Sequence, residues 1–181
     1  ALMAAGKWEE LGARVSGEAK KLEAAGADFL LIGSNTIHKV CGAVEAAVGI
    51  PLLHIVDVTA RAIRAKGFDK VGLLGTIFTM EHDFYRHRLE SMHGIETQIP
   101  CRGDRLFVND VIDRELGFGI LKEESRQRFL EIIGHLGEMG CQGVILGCTE
   151  IPLLVKQEHS SIPLFDTTRL HAEAAVRKAL E

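Results

Sequence analysis

The chain has 181 residues, of which 46% are hydrophobic and 25% charged, and its formal net charge is −4. That length supports one good core, or two small lobes sharing one, and the composition is globular rather than disordered. Scattered Lys and Arg in a net acidic chain exclude a nucleic-acid footprint, which needs a basic face; no apolar run reaches the roughly 20 residues of a membrane span.

Strand and helix patterns alternate along the chain. Residues 1–6 lack a basic stretch leading into a long apolar one, so no export signal is read there. Residues 7–25 place Trp8, Leu11, Val15, Ala19 and Leu22 at helical spacing, and Gly26 follows as a stop. Residues 29–32 form a short, continuously apolar run, the pattern of a strand buried on both faces. A helix is predicted over 36–47, a strand over 51–56, a helix over 58–66 closed by Gly67, and a strand over 71–75. Residues 79–93 read as one amphipathic helix ending at Gly94, and 95–99 as an edge strand. Helices over 105–117 and 122–139 follow, then strands at 144–146 and 163–165 and a closing helix over 167–180. This alternation predicts an α/β fold with a mostly parallel sheet flanked by helices. Four cysteines without an export signal are expected as free thiols in a reducing compartment, which makes a cytoplasmic location the expectation.

The chain also matches itself. Residues 25–36 align with 139–150: each is a helix stop, a buried strand, a glycine, then a hydroxyl or thiol residue and a polar one. Ser34 and Cys148 occupy the same place in the two copies, 114 residues apart (148 − 34). Residues 50–53 recur as 162–165 at nearly the same offset, 112 (163 − 51). Each copy is followed by Asp and Thr: Asp57 and Thr59, then Asp166 and Thr167. Two ordinary strand–helix units would give part of this pattern, but two linked similarities at one offset are harder to obtain by accident. Ligands of open α/β sheets sit beyond the carboxyl ends of strands, where the next helix offers free N–H groups. Ser34 and Cys148 both fall there, and two facing lobes would bring them to one ligand from opposite sides.

Two opposed acid/base groups around a small carboxylate are what inversion at carbon requires. One removes the Cα proton from one face and the other returns a proton to the opposite face. A thiol suits the task, with an ordinary pKa of about 8.5 that a helix start lowers. Cys148 precedes Thr149, Glu150, Ile151 and Pro152, read as a first helical turn, so a stabilised thiolate is expected. Asn35, Thr36 and Thr149, with neighbouring N–H groups, are expected to hold the substrate carboxylate.

The residues Gly33-Ser34-Asn35-Thr36, followed by His38-Lys39-Val40, resemble the first signature of the aspartate/glutamate racemase family. Gly143-Val144-Ile145-Leu146-Gly147-Cys148-Thr149-Glu150-Ile151 resembles the second. Val71-Gly72-Leu73-Leu74-Gly75-Thr76 is similar to the family's mid-chain strand and its substrate-contacting threonine. The resemblance covers essentially the whole chain. It implies two pseudosymmetric α/β lobes, residues 1–57 with 164–181 and residues 58–163, and a site in the cleft between them. It also implies a two-base mechanism on aspartate or glutamate without pyridoxal, metal or other cofactor, in a protein that forms a homodimer. Carried onto this chain, Cys148 and Ser34 are the catalytic pair. Asn35, Thr36, Thr76 and Thr149 bind the carboxylate, and Glu150 positions the ammonium.

Two departures stand out against the family pattern. Position 34 is usually Cys, and a hydroxyl is a far weaker acid than a thiol, so Ser34 is a poor general base. Relatives with a hydroxyl there are biased towards one enantiomer, and the resemblance gives Cys148 the L-face. Family members also begin with a strand and a Gly-rich loop that supply an arginine for the substrate side chain. This chain starts in the helix that follows, and that strand is expected to be missing. The enzymatic alternative is a single-cysteine relative of arylmalonate decarboxylase, in which one thiol protonates an enolate. The non-enzymatic alternative is a catalytically impaired amino-acid-binding protein.

The remaining chemical residues read more blandly. Glu150 is also what a helix first turn favours, and His38 and His171 are either cleft residues or structural hydrogen-bonders. His82 and His87, five apart on a helix, face different ways and are expected on a solvated surface rather than on a metal. Cys41 and Cys141 are expected as buried thiols and Cys101 in a loop; Arg102-Gly103-Asp104 is a chance tripeptide. No strand leads into a G-x-G-x-x-G dinucleotide fingerprint.

Overall fold

The computed structural model describes residues 2–181; Ala1, the first residue of the segment read for an export signal, lies outside them. After helix α1 (Trp8–Ala24) the chain runs irregularly, with a single parallel bridge between Leu30 and Leu52. The apolar runs 29–32 and 51–56, expected as strands, reduce to that bridge. The second is cut short at Ile55, where α3 (Ile55–Ala65) begins, because the His54 ring caps the helix by accepting from Val56 N at 3.2 Å. The helix expected over 36–47 is instead a 3-10 turn (Thr36–Val40) leading into a short α2 (Cys41–Glu45). Local polar bonds tighten this segment: His38 N donates to Asn35 O, and the His38 ring bonds Ser34 O.

The rest follows the predicted alternation more closely. Strand β1 (Lys70–Gly75) leads to α4 (Ile77–Glu81) and α5 (Asp83–His93), then β2 (Glu96–Gln98), α6 (Arg102–Arg114) and a 3-10 turn (Leu116–Phe118). Helix α7 (Glu123–Glu138), β3 (Gly143–Gly147), α8 (Ile151–Leu154), β4 (Leu164–Asp166) and α9 (Thr167–Ala179) complete the chain. The helix expected over 79–93 is broken at His82, whose extended backbone (φ −80°, ψ 145°) separates α4 from α5.

The four strands form one parallel sheet in the order β2-β1-β3-β4. Alternate residues feed opposite faces, as the period of a strand requires. Leu74, Val144 and Leu146 pack with Val108 and Ile112 of α6 and Phe129, Ile133 and Leu136 of α7. Val71, Leu73 and Ile145 pack with Val56 and Ile63 of α3 and Tyr85 and Leu89 of α5 on the other face. A third, smaller cluster joins Ala19, Leu30 and Val44. At the carboxyl ends Gly75 and Gly147 lie opposite each other. A Cβ on Gly75 would stand 2.8 Å from the Gly147 carbonyl oxygen, and one on Gly147 would stand 2.8 Å from that of Leu74. Glycine at both places lets the two strand ends deliver Thr76 and Cys148 side by side.

Candidate active site

All seven residues expected at the site line one cavity of about 350 Å3: Ser34, Asn35, Thr36, Thr76, Cys148, Thr149 and Glu150. Met3, Ile112, Asp113 and Phe118 share its wall, and nothing in the motifs pointed to them. A larger groove of about 740 Å3 lies along β4 and α9, but neither a thiol nor an imidazole lines it.

Two carboxyl ends supply half of the cavity. Thr76 follows β1 and caps α4, its hydroxyl accepting from Thr79 N at 3.3 Å. Cys148 and Thr149 follow β3 directly. The other half is the turn after Leu30, which carries Ser34, Asn35 and Thr36. Thr36 Oγ1 lies 2.9 Å from Thr76 Oγ1 and 3.0 Å from Thr79 Oγ1, and the last two are 3.2 Å apart. This triangle of hydroxyls joins the two halves. Thr79, fully buried, was not anticipated; its spacing of three after Thr76 is an ordinary capping pattern.

Cys148 is 9% exposed, and its thiol donates to Glu150 Oε2 at 2.9 Å; the Thr149 hydroxyl donates to the same oxygen at 2.7 Å. Burial first, and then the bond to Glu150 with its negative charge, push the thiol up to about 12, against the pull of the Thr149 and Glu150 backbone N–H groups. Burial alone would raise the Glu150 carboxyl, yet the bonds it accepts from Cys148 and Thr149 hold it below its usual range. The stabilised thiolate expected at a helix start is therefore replaced by a protonated thiol beside a carboxylate. Helix α8 has only four residues, and its field is too slight to reverse this.

Ser34 is half-buried, and among the described residues its hydroxyl receives only a long 3.5 Å contact from Ile37 N. His38 does not serve it as a base. The His38 Nδ1–H donates to the Ser34 carbonyl at 2.7 Å, while Nε2 accepts from Ile55 N at 3.2 Å. Burial lowers His38 to about 4, so the ring is neutral. His171 Nε2 donates to Leu53 O at 2.7 Å. Of the two readings for these histidines, the structural one describes both.

The other residues also find places. His82 packs against Trp8 and Phe78, His87 is exposed, and no metal-binding group of three His, Cys, Asp or Glu occurs among the described residues. Cys141 is buried as expected, whereas Cys41 is only half-buried, with Sγ 3.3 Å from His54 Nε2. Cys101 is exposed at the head of α6, and Arg102-Gly103-Asp104 forms that helix's first turn, with Asp104 paired to Arg128. No helix among the described residues is long and apolar enough to cross a membrane.

Similarity to known proteins fits this geometry. A protein from Yersinia pestis crystallised as a candidate Asp/Glu racemase is 48% identical, with a TM-score of 0.93, covering 99% of this chain and 78% of that one. An aspartate racemase homologue from Pyrococcus horikoshii is 37% identical, with a TM-score of 0.86, over 96% of this chain and 76% of that one. The broad-specificity amino-acid racemase RacX of Bacillus subtilis is 26% identical across 93% of this chain and 72% of its own length. Matches to glutamate racemases of Streptococcus suis span only 40% of those proteins. The family model for Asp/Glu/hydantoin racemases matches residues 2–175. By motif, by fold and by this match along nearly its whole length, the chain belongs to the Asp/Glu/hydantoin racemase family.

Proposed function

We propose that this chain is a cofactor-independent racemase of an acidic amino acid, aspartate or glutamate, in which Cys148 exchanges the Cα proton. The observation that carries this reading is the single cavity with Ser34 and Cys148 in its wall and the rest of both motifs around them. In this reading residues 1–57 with 164–181 form one lobe and 58–163 the other, with β4 of the first crossing to pair with β3 in the sheet of the second. Ser34, Asn35 and Thr36 then meet Thr76, Cys148, Thr149 and Glu150 across the seam.

The chemistry follows from the polarity of each group. The substrate ammonium sits beside Glu150 and offsets the charge that keeps the thiol protonated, so Cys148 loses its proton to solvent and becomes a base. The thiolate takes the Cα proton, forming S–H and leaving the electron pair on the substrate as an enolate. Thr36 and Thr76 donate to the carboxylate as that charge develops, and Thr149 joins them once the ammonium takes the place of its hydroxyl proton on Glu150 Oε2. A water held by Ser34 returns a proton to the opposite face, and its hydroxide is neutralised from solvent. Asn35 Oδ1 is buried with no hydrogen-bond partner among the described residues, which suits the ammonium better than the carboxylate first expected of this residue. The same reading takes the enzyme as cytoplasmic, homodimeric and free of pyridoxal and metal.

Proton NMR of L- and D-aspartate and L- and D-glutamate in deuterated water tests the proposal, beside Cys148→Ala. The expected result is loss of the Cα signal from at least one enantiomer with the wild-type chain and none with the variant. No exchange in any of the four, at high enzyme and long times, overturns it. The protonated thiol favours a second reading, the single-thiol protonation of an enolate. Carbon dioxide release from an arylmalonate, without amino-acid exchange, would select it.

A further inference from the structure

The threonine that closes the second copy of the repeat has no part in the chemistry proposed above, yet it stands between the two halves of the cavity. Thr167 is fully buried at the first position of α9. Its one hydroxyl proton goes to the Leu146 carbonyl at 2.8 Å, two residues before Cys148. With that proton committed, Oγ1 can only accept from any other neighbour. Asn35, next to Ser34, donates to it through Nδ2 at 3.0 Å. The amide is thereby oriented: its NH2 faces Thr167, and Oδ1 is left as a buried acceptor without a partner among the described residues. A reversed amide would set two acceptors against each other, which is costly where water cannot intervene.

We infer that Thr167 is a positioning residue that holds the Asn35 amide with its oxygen free for the substrate ammonium. The same hydroxyl ties the Ser34–Asn35 segment to the strand that delivers Cys148, so one buried group sets both the polarity and the spacing of the site. The consequence for catalysis rests on the racemase reading; the orientation of the amide does not.

The test compares Thr167→Val, Thr167→Ala and Thr167→Ser in the full chain, alone and with Asn35→Ala. In the Cα-exchange assay, Val raises KM by about tenfold or more while kcat moves by less than about threefold. Ser restores both, and Val adds little once Asn35 is gone. Ala is carried in parallel so that a valine variant that fails to fold still leaves a readout. A second measurement needs no turnover. In nitrogen-15 spectra, the Asn35 side-chain NH2 pair is identified by its loss in Asn35→Ala. It should exchange slowly with solvent in the wild type and Ser, and rapidly in Val and Ala. An unchanged KM in both Val and Ala, a Ser variant as impaired as they are, or an undiminished effect without Asn35 overturns the inference. If the wild type exchanges no Cα proton, the racemase reading falls; slow amide exchange retained in Val and Ala would then separately overturn the orientation.

Discussion

At Cys148 two influences on a thiol oppose each other. Backbone N–H groups of Thr149 and Glu150 favour the thiolate, while burial and the neighbouring carboxylate favour the thiol and win, at about 12. The carboxylate is the part that substitution can remove without opening a cavity. Glu150→Gln is therefore expected to lower the thiol pKa and to speed alkylation of Cys148 by iodoacetamide at pH 8, by about tenfold for each pKa unit recovered. Mass spectrometry of the Cys148 peptide separates this from exposed Cys101. An alkylation rate unchanged or slowed in the variant would show that Glu150 does not hold the proton on sulfur. The seven expected residues of the cavity are legible as motifs because each lies in one of two short segments or directly after β1, whereas Met3, Ile112, Asp113 and Phe118 reach its wall only through the fold. Thr167 was visible only as a repeat position: its partner Asn35 lies 132 residues away, a pairing no local spacing encodes. The high thiol pKa was not legible either, since it depends on how deeply the β3 end is covered.

The elements that the sequence pattern located well are those that bury a long periodic face. Helices α1, α7 and α9 fall within a residue or so of their expected bounds, and β1 and β3 lie where their apolar runs are. The failures have local causes that periodicity does not encode. Side-chain bonds of His38 and His54 set the turn at Thr36–Val40 and the early start of α3. Extended backbone at His82, whose ring packs on Trp8 and Phe78, breaks the next helix, while α6 begins three residues before its expected start. The pairing of Gly75 with Gly147 belongs to the same scale, because it concerns how two strands end together. Neither glycine has room for a methyl group, and the obstructing atoms are backbone oxygens that cannot swing aside. Gly147→Ala is expected to cost about 1–3 kcal/mol by overpacking, read as a lower urea midpoint with an unchanged denaturant slope. It should also part β1 from β3 and so slow Cα exchange more than Gly103→Ala, at a glycine with nothing within 4 Å of its added Cβ. Equal stability in both variants would show that the strand ends are not in close contact.

Across the whole molecule, the turn bearing Ser34 is fastened to the main sheet unit by neutral histidines. His38 joins Ser34 O to the head of α3, His54 caps that helix, and His171 of α9 reaches Leu53 O. The rings of His38 and His54 stand 4.6 Å apart, and those of His38 and His171 6.0 Å. All three pKa values are lowered, chiefly by burial, with Arg88 and the rings' mutual repulsion adding to it for His38 and His54, while the nearby Asp57 carboxylate opposes the fall. The folded chain thus binds fewer protons here than the unfolded chain, in which each histidine titrates near 6.5. Their contribution to stability is fully present above about pH 6.5 and is lost progressively as the pH falls towards the folded values. For His38, lowered to about 4, the amount at stake is about 3 kcal/mol. Asp57, paired with Arg88 at 2.7 Å, acts in the same direction at lower pH: held at about 2, its contribution persists above the usual carboxylate range and fades through the folded value. Urea unfolding between pH 6 and 5 should therefore show stability falling by more than about 1.4 kcal/mol per pH unit, the slope of a single proton, with His38 and His54 together approaching that of two and His171 adding to it. His38→Gln, which retains hydrogen-bonding capacity but does not titrate, should remove close to one proton's share of that slope. A wild-type slope below one proton would mean that these rings are not held neutral together and that the turn bearing Ser34 is fastened some other way.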